Sequence, residues 1–195
     1  MARNRQPIIK RCRALGIDPI VLGVNKKSNR GPRPNANQKP TEYAVQLREK
    51  QKAKFIYGVM EKQFYKLYKE ATRREGVTGE LLLQYLERRL DNVVFRLGFA
   101  KTRRQARQIV SHGHVLVNGR KVNIASYRVK VGDVVSLSEA SRNIEFVKEA
   151  VEAVRVPSWL DLDKANFAGK VLQNPNRDAL DFEINEALIV EFYSR

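Results

Sequence analysis

Between Thr102 and Val122 the apolar residues change their spacing, and that change restricts what this stretch can become. Ala106, Ile109 and Val110 recur at helical intervals, whereas Val115, Val117 and Val122 are strand residues. His112-Gly113 separates the two patterns, and glycine there can take the left-handed conformation that ends a helix. Asn118-Gly119 is a strong hairpin-turn signal. Thr102, with Gln105 three residues on, forms the capping-box pattern that starts a helix. The expectation is a short helix joined directly to a β-hairpin.

On a helical wheel Arg103, Arg104, Arg107, Gln108 and Ser111 share one side, and Ala106, Ile109 and Val110 share the other. The apolar side docks the helix on its own domain. The opposite side offers three guanidiniums that can fork onto phosphates, beside a helix N-terminus with outward N–H groups. Asn118, Arg120 and Lys121 at the hairpin turn extend that surface. An ordinary solvated face would carry the same arginines. The hairpin, which fixes the helix beside a second basic turn, favours the phosphate reading.

Upstream, residues 1–40 contain Pro7, Pro19, Pro32, Pro34 and Pro40 and too few apolar residues for a core. They read as irregular: a disordered tail, or an extended arm that orders on a partner. Thr41 caps a helix with Glu42 in its first turn, running to about Tyr57 and ending at Gly58, with Arg48, Lys50, Lys52 and Lys54 crowding its surface. A second helix spans about Met60 to Arg74, with Phe64, Leu67, Tyr68 and Ala71 facing a core. Thr78 caps a third, in which Leu82, Leu86, Leu90, Val93 and Leu97 form one apolar stripe ending at Gly98, with Arg88 and Asn92 on its other side. After the hairpin, Val129 and Val131, Gly132-Asp133, and Val134, Val135 and Leu137 make a second turn-linked strand pair. A helix from about Ser141 to Val154 ends at Pro157. Strand-like pieces lie at Phe167–Leu172 and Ala187–Tyr193.

Charge narrows the partner. The chain carries a formal +16, and such a surplus repels itself unless a polyanion neutralises it. It is unevenly spread: net +13 over residues 1–75, +7 over 76–137 and −4 over 138–195. The first two thirds read as nucleic-acid-facing, the last third as scaffolding or a face for a basic protein. No stretch approaches the roughly 20 apolar residues of a transmembrane helix, and Met1 to Arg13 has no signal-like apolar run. One cysteine, Cys12, forms no internal disulfide, and with only His112 and His114 elsewhere it makes no four-ligand zinc site. The chain reads as cytosolic and without a cofactor.

The run R-L-D-N-V-V-F-R-L-G-F-A-K-T-R-R-Q-A-R-Q-I-V-S-H-G-H-V-L-V-N-G-R-K-V, from Arg89 to Val122, closely resembles the S-four RNA-binding module. That module also occurs in pseudouridine synthases, tyrosyl-tRNA synthetases and a ribosome-associated heat-shock protein. T-E-Y-A-V-Q-L-R-E-K-Q-K-A-K-F-I-Y-G-V-M-E-K-Q-F, from Thr41 to Phe64, and the closing I-V-E-F-Y-S-R, from Ile189 to Arg195, resemble the bacterial S-four family of small-subunit ribosomal proteins. The resemblance implies direct binding of 16S rRNA at a multi-helix junction of its 5′ domain, early in 30S assembly. It implies contact with ribosomal proteins S-five and S-three, an influence on translational accuracy, and a place beside the channel through which mRNA enters, in the bacterial cytoplasm or, as a lesser alternative, a plastid. Some members of the family bind zinc through an N-terminal cysteine cluster. Here Cys12 stands alone in K-R-C-R, so the expectation is a zinc-free form.

The expected fold is α+β: a helical domain plus a helix-hairpin module of two short helices on a small antiparallel sheet, with an extended N-terminal arm. The expected boundaries are 1–40 for the extended basic arm, 41–85 for a helical rRNA-binding domain, completed by the tail 155–195, and 86–154 for the S-four-type RNA-binding domain. The candidate RNA-contacting residues are Arg3, Arg5, Lys10 and Arg13 in the arm, Arg48, Lys50 and Lys54 on the first helix, and Arg88. Arg103, Arg104, Arg107, Gln108, His112, Asn118, Arg120 and Lys121 complete them.

Other chemistries weigh less. Asp91 in R-R-L-D resembles the catalytic aspartate segment of one pseudouridine synthase family, but an aspartate paired with a neighbouring base explains it, and only 58 residues follow Leu137. His112 and His114 have no third ligand or nucleophile. Tyr57, Tyr65, Tyr68 and Tyr85 sit among basic residues and could stack on bases, though core packing accounts for them better. The basic Thr41–Tyr57 helix could also lie on an anionic membrane.

Overall fold

A computed structural model of the chain describes residues 6–26, 30 and 39–194. The expectations for Arg3, Arg5 and most of the stretch 25–40 lie outside the described residues. The helices are α1 Ile8–Leu15, α2 Glu42–Ile56, α3 Glu61–Thr72, α4 Thr78–Glu87, α5 Leu90–Arg96, α6 Arg103–Ser111, α7 Glu139–Arg142, α8 Glu145–Ala153 and α9 Glu186–Ser194. The strands are β1 Val115–Val117, β2 Arg120–Lys121, β3 Val134–Leu137, β4 Leu160–Asp163 and β5 Ala168–Val171. They fall into two compact units, Met1–Leu83 with Asp181–Arg195, and Gln84–Leu180. The α+β class is as expected.

The first unit is helical. α1 lies inside the stretch expected to be irregular. Its sequence I-I-K-R-C-R-A-L buries Cys12 and Leu15 one turn apart, and Gly16, at φ 69°, ends it. The Thr41 hydroxyl accepts from the Ala44 amide at 3.3 Å and starts α2. Phe64, Tyr68 and Ala71 turn the inner face of α3 into the core. Ala187–Tyr193, expected as strand-like, is helical. The Asn185 carboxamide oxygen accepts from the Ala187 and Leu188 amides at 3.1 and 3.4 Å, an N-cap. Packing of α9 on α2 then overrides the strand preference of Ile189, Val190, Phe192 and Tyr193.

The second unit holds one antiparallel sheet of order β2-β1-β3-β5-β4. Asn118 (φ 51°) and Gly119 (φ 76°) make the turn between β1 and β2, with Val117 opposite Arg120. The second expected hairpin does not form. The Gly132-Asp133 turn exists, but β3 pairs with β1 on one side and β5 on the other, which leaves no edge for Val129–Val131. β4 and β5 lie in the part of the tail expected to complete the helical domain. They instead extend this sheet, with Trp159 buried just before β4.

The apolar stripe from Leu82 to Leu97 is broken into α4 and α5. Arg89 is extended (φ −66°, ψ 137°) and forms an isolated bridge with Arg128. The amides of Leu90 and Asp91 donate to the carbonyls of Tyr127 and Ala125 at 2.8 and 3.2 Å instead of closing helical turns. All five stripe residues are nonetheless fully buried. Thr78 belongs to the first turn of α4 rather than capping it, since the Leu81 amide donates to Val77. The helix expected over Ser141–Val154 is α7 plus α8, divided where Ile144 becomes extended.

Candidate nucleic-acid interface

The helix-hairpin of the second unit is built around α6. Ala106, Ile109 and Val110 are buried in one core with Val93, Leu97, Val115 and Leu137. Burying such side chains is worth about 1.5–3 kcal/mol for each of the larger ones, so the helix is held by its apolar face. The Thr102 hydroxyl accepts from the Gln105 amide at 3.1 Å, and the Gln105 carboxamide oxygen accepts from the Lys101 amide at 2.9 Å, one residue earlier than a standard capping box. Gly113, at φ 75°, ends the helix and leaves room for the Lys121 stem. A Cβ at Gly113 would lie 2.2 Å from Lys121 Cε.

A buried polar relay fixes the start of α6. Arg103 Nε donates to Asn92 Oδ1 at 2.9 Å, and its guanidinium lies 4.4 Å from the centre of the Phe95 ring. Asn92 Nδ2 donates to the Glu87 carboxylate at 2.8 Å and to the Glu87 carbonyl at 2.9 Å. Arg96 closes the relay on Glu87 at 3.1 and 2.9 Å. These groups are almost wholly buried, where pairing is required to offset desolvation. Arg103 was expected on the phosphate-facing side; its first-turn position places it over Phe95 instead. Asn92, expected on the side away from the apolar stripe, is buried between Glu87 and Arg103. Spacing alone did not reveal this relay, because its members come from three helices.

The remaining candidates divide clearly. Arg104, Gln108 and His112 are exposed along α6, with Arg107 half-buried beside them, and Arg120 and Lys121 are exposed on the adjacent hairpin. Asn118 is exposed, but its amide donates to Asp133 at 2.9 Å and its oxygen accepts from the Val134 amide at 2.9 Å, which ties the turn to β3. Arg88 donates to the Val129 carbonyl at 2.8 Å and to Asn174 at 3.2 Å. His114 sits at 2.8 Å from the Ser141 hydroxyl. Asp91 is buried and held bidentately by Arg89 at 3.0 and 2.8 Å. Tyr85 is buried beneath Arg128.

In the first unit Lys10 and Arg48 are exposed and Arg13 is half-buried. Lys50 departs from expectation: only 6% exposed, it pairs with Glu61 at 3.0 Å and lies 4.0 Å from the Phe192 ring centre. Lys54 reaches the other Glu61 oxygen at 2.5 Å, and the Tyr193 hydroxyl donates to Glu61 at 2.7 Å. Burial acts to raise the Glu61 pKa, but hydrogen bonds from Lys54, Tyr193 and Lys50 outweigh it and hold the carboxyl down to about 2. Burial, and then Glu61, push the Tyr193 phenol up. Tyr57 and Tyr68 are core residues, whereas Tyr65 stays 41% exposed. Among the described residues no cluster of His, Cys, Asp and Glu could hold a metal ion, and no helix is long and apolar enough to cross a membrane.

Known proteins are close to this chain in sequence. Residues 88–135 match the S4 domain, and residues 3–87 match the ribosomal protein S4/S9 N-terminal domain. The small ribosomal subunit protein uS4 of Fusobacterium nucleatum is 73% identical over 195 residues, covering both chains completely. Those of Lachnospira eligens and Natranaerobius thermophilus are 55% and 47% identical, again over the whole of each chain.

Proposed function

The chain belongs to the bacterial uS4 family of small ribosomal subunit proteins, and from that premise we propose that it is a structural constituent of the small subunit, not an enzyme, that binds 16S rRNA directly. The observation that carries this reading is likeness along the entire chain to proteins named small ribosomal subunit protein uS4. The physical features agree with it. Arg104, Arg107, Arg120 and Lys121 stand on a rigid helix-hairpin, where guanidiniums and ammoniums suit phosphate oxygens. RNA junctions are read mostly through shape and backbone, which needs no catalytic group. Burial of Asp91 under Arg89 disfavours the alternative of an RNA-modifying enzyme.

The finer reading is that the protein seats on the multi-helix junction of the 16S 5′ domain early in assembly. There it meets ribosomal proteins S-five and S-three beside the channel where mRNA enters, and so affects translational accuracy. Its place is then the small subunit in the bacterial cytoplasm. Filter binding to a transcript of the 16S 5′ domain, with footprinting, tests this. Tight binding with log K falling steeply against log salt is expected, because each neutralised phosphate releases counterions. Affinity no better than for an unrelated folded RNA of equal length would overturn it. Footprinting with residues 1–40 removed assigns the arm its share.

A further inference from the structure

Asn92 is a buried amide to which the RNA-facing surface assigns no task. Only 2% exposed, it links three helices of the second unit. Its Nδ2 donates to the carboxylate and the carbonyl of Glu87, the last residue of α4, at 2.8 and 2.9 Å. Its Oδ1 accepts from Arg103, the first residue of α6, at 2.9 Å. A carboxamide offers donors and an acceptor together. An aspartate would bring no donor to Glu87, and a leucine neither donor nor acceptor. Asn92 is itself anchored. Its backbone amide donates to Asp91 Oδ1 at 3.0 Å, and Arg89 grips the Asp91 carboxylate through two nitrogens. Arg96 holds the Glu87 carboxylate in turn.

The apolar face of α6 leaves one freedom open. Ala106, Ile109 and Val110 settle which side of the helix meets the core, but apolar contacts are non-directional and tolerate a small turn about the helix axis. The bond from Arg103 to Asn92 is directional and weakens steeply as its angle opens. It acts on the first residue of the helix, one position before Arg104 and about one turn before Arg107. At a radius of about 6 Å, a rotation of about 20° moves a side chain by roughly 2 Å. Such a shift takes a phosphate hydrogen bond out of range.

We propose that Asn92 is a positioning residue for RNA binding. It touches no RNA. Through Arg103 it sets the rotation of α6, and so where Arg104 and Arg107 meet phosphates. A residue that only stabilised the core would change RNA affinity no more than any other core residue of equal stabilising effect. This assignment rests on the rRNA-binding reading above, and the experiment separates the two.

The full chain carrying Asn92→Ala is titrated with the 16S 5′-domain transcript over a salt series, well below its melting temperature. Affinity should fall about fivefold and the log–log salt slope should shrink by about 1, as for a lost phosphate contact. The control is Val171→Ala, a buried β5 residue of the same core, which should also melt early but bind as wild type. Equal weakening in both variants would show a stability effect and overturn the proposal. In an Arg104→Ala, Arg107→Ala background the further change Asn92→Ala should cost less than about twofold, because the groups it positions are gone. A full additional loss there would overturn it. Unchanged affinity in Asn92→Ala, while Arg104→Ala with Arg107→Ala loses binding, would overturn it and leave the rRNA reading standing. No specific binding by wild type would overturn both. If Asn92→Ala melts too early, the isosteric Glu87→Gln sets amide against amide and should weaken binding. Adding Asn92→Asp to it restores a donor facing an acceptor and should recover at least about threefold; no loss, or no recovery, overturns the proposal.

Discussion

Arg103 and Arg104 are neighbours with opposite tasks. Arg103 is 7% exposed and bonded to Asn92 across from Phe95, while Arg104 faces solvent. Arg103→Ala should therefore cost about 2–3 kcal/mol of stability, because it removes a hydrogen bond and a cation–π pairing from inside the fold, as read by urea denaturation. Arg104→Ala with Arg107→Ala should shift stability by only about 0.5 kcal/mol and yet weaken RNA binding about tenfold or more, evenly across RNA sequences. Equal stability losses in the two variants would contradict this division. A helical wheel places Arg103, Arg104 and Arg107 on one side, and of these Arg104 is exposed and Arg107 half-buried. Arg103 differs because Asn92 and Phe95, from another helix, are near enough to receive it, an encounter that no local pattern contains.

At the scale of elements, local signals were legible wherever chain neighbours settle the outcome. Thr41, Thr102, Gly113 and Asn118-Gly119 act as their residue types dictate. The signals failed where distant partners decide. The stripe from Leu82 to Leu97 satisfies a helix everywhere, but Tyr127 and Ala125 take the hydrogen bonds at Leu90 and Asp91 and break it. α9 is the clearest case, a strand-like sequence made helical by Asn185 and by its seat against α2. Glu61 on α3 joins that seat, receiving Lys50 and Lys54 from α2 and Tyr193 from α9. Its carboxyl is held at about 2, below the ordinary glutamate value of 4.5. A depressed carboxylate stabilises the fold above its unfolded pKa and loses that contribution as pH falls through the folded one. Glu61→Gln should thus melt below wild type at neutral pH, and the gap should close between about pH 4.5 and 2. A gap constant across that window would rule out the linkage. Glu61 is about half exposed, so solvent screening keeps the gap modest.

Across the whole molecule the charge is the dominant fact, and it acts on folding and binding with opposite signs. The formal +16 is a surplus of like charges, and their mutual repulsion opposes compactness in the absence of a polyanion. Salt screens exposed charges over a Debye length of roughly 8–10 Å near physiological strength. The buried pairs Arg89–Asp91 and Arg96–Glu87 are only 2.8 and 2.9 Å apart and shielded from solvent, so salt weakens them far less than it relieves surface repulsion. Raising salt from about 50 to 500 mM should therefore raise the melting temperature of the free protein. The same change should weaken binding to 16S rRNA, because released counterions then gain less entropy. Scanning calorimetry of the free chain and filter binding across one salt series measure both. A melting temperature that falls with salt would mean that exposed ion pairs, such as Lys101–Glu149, outweigh the net repulsion, and the surplus could not then be what favours association with a polyanion.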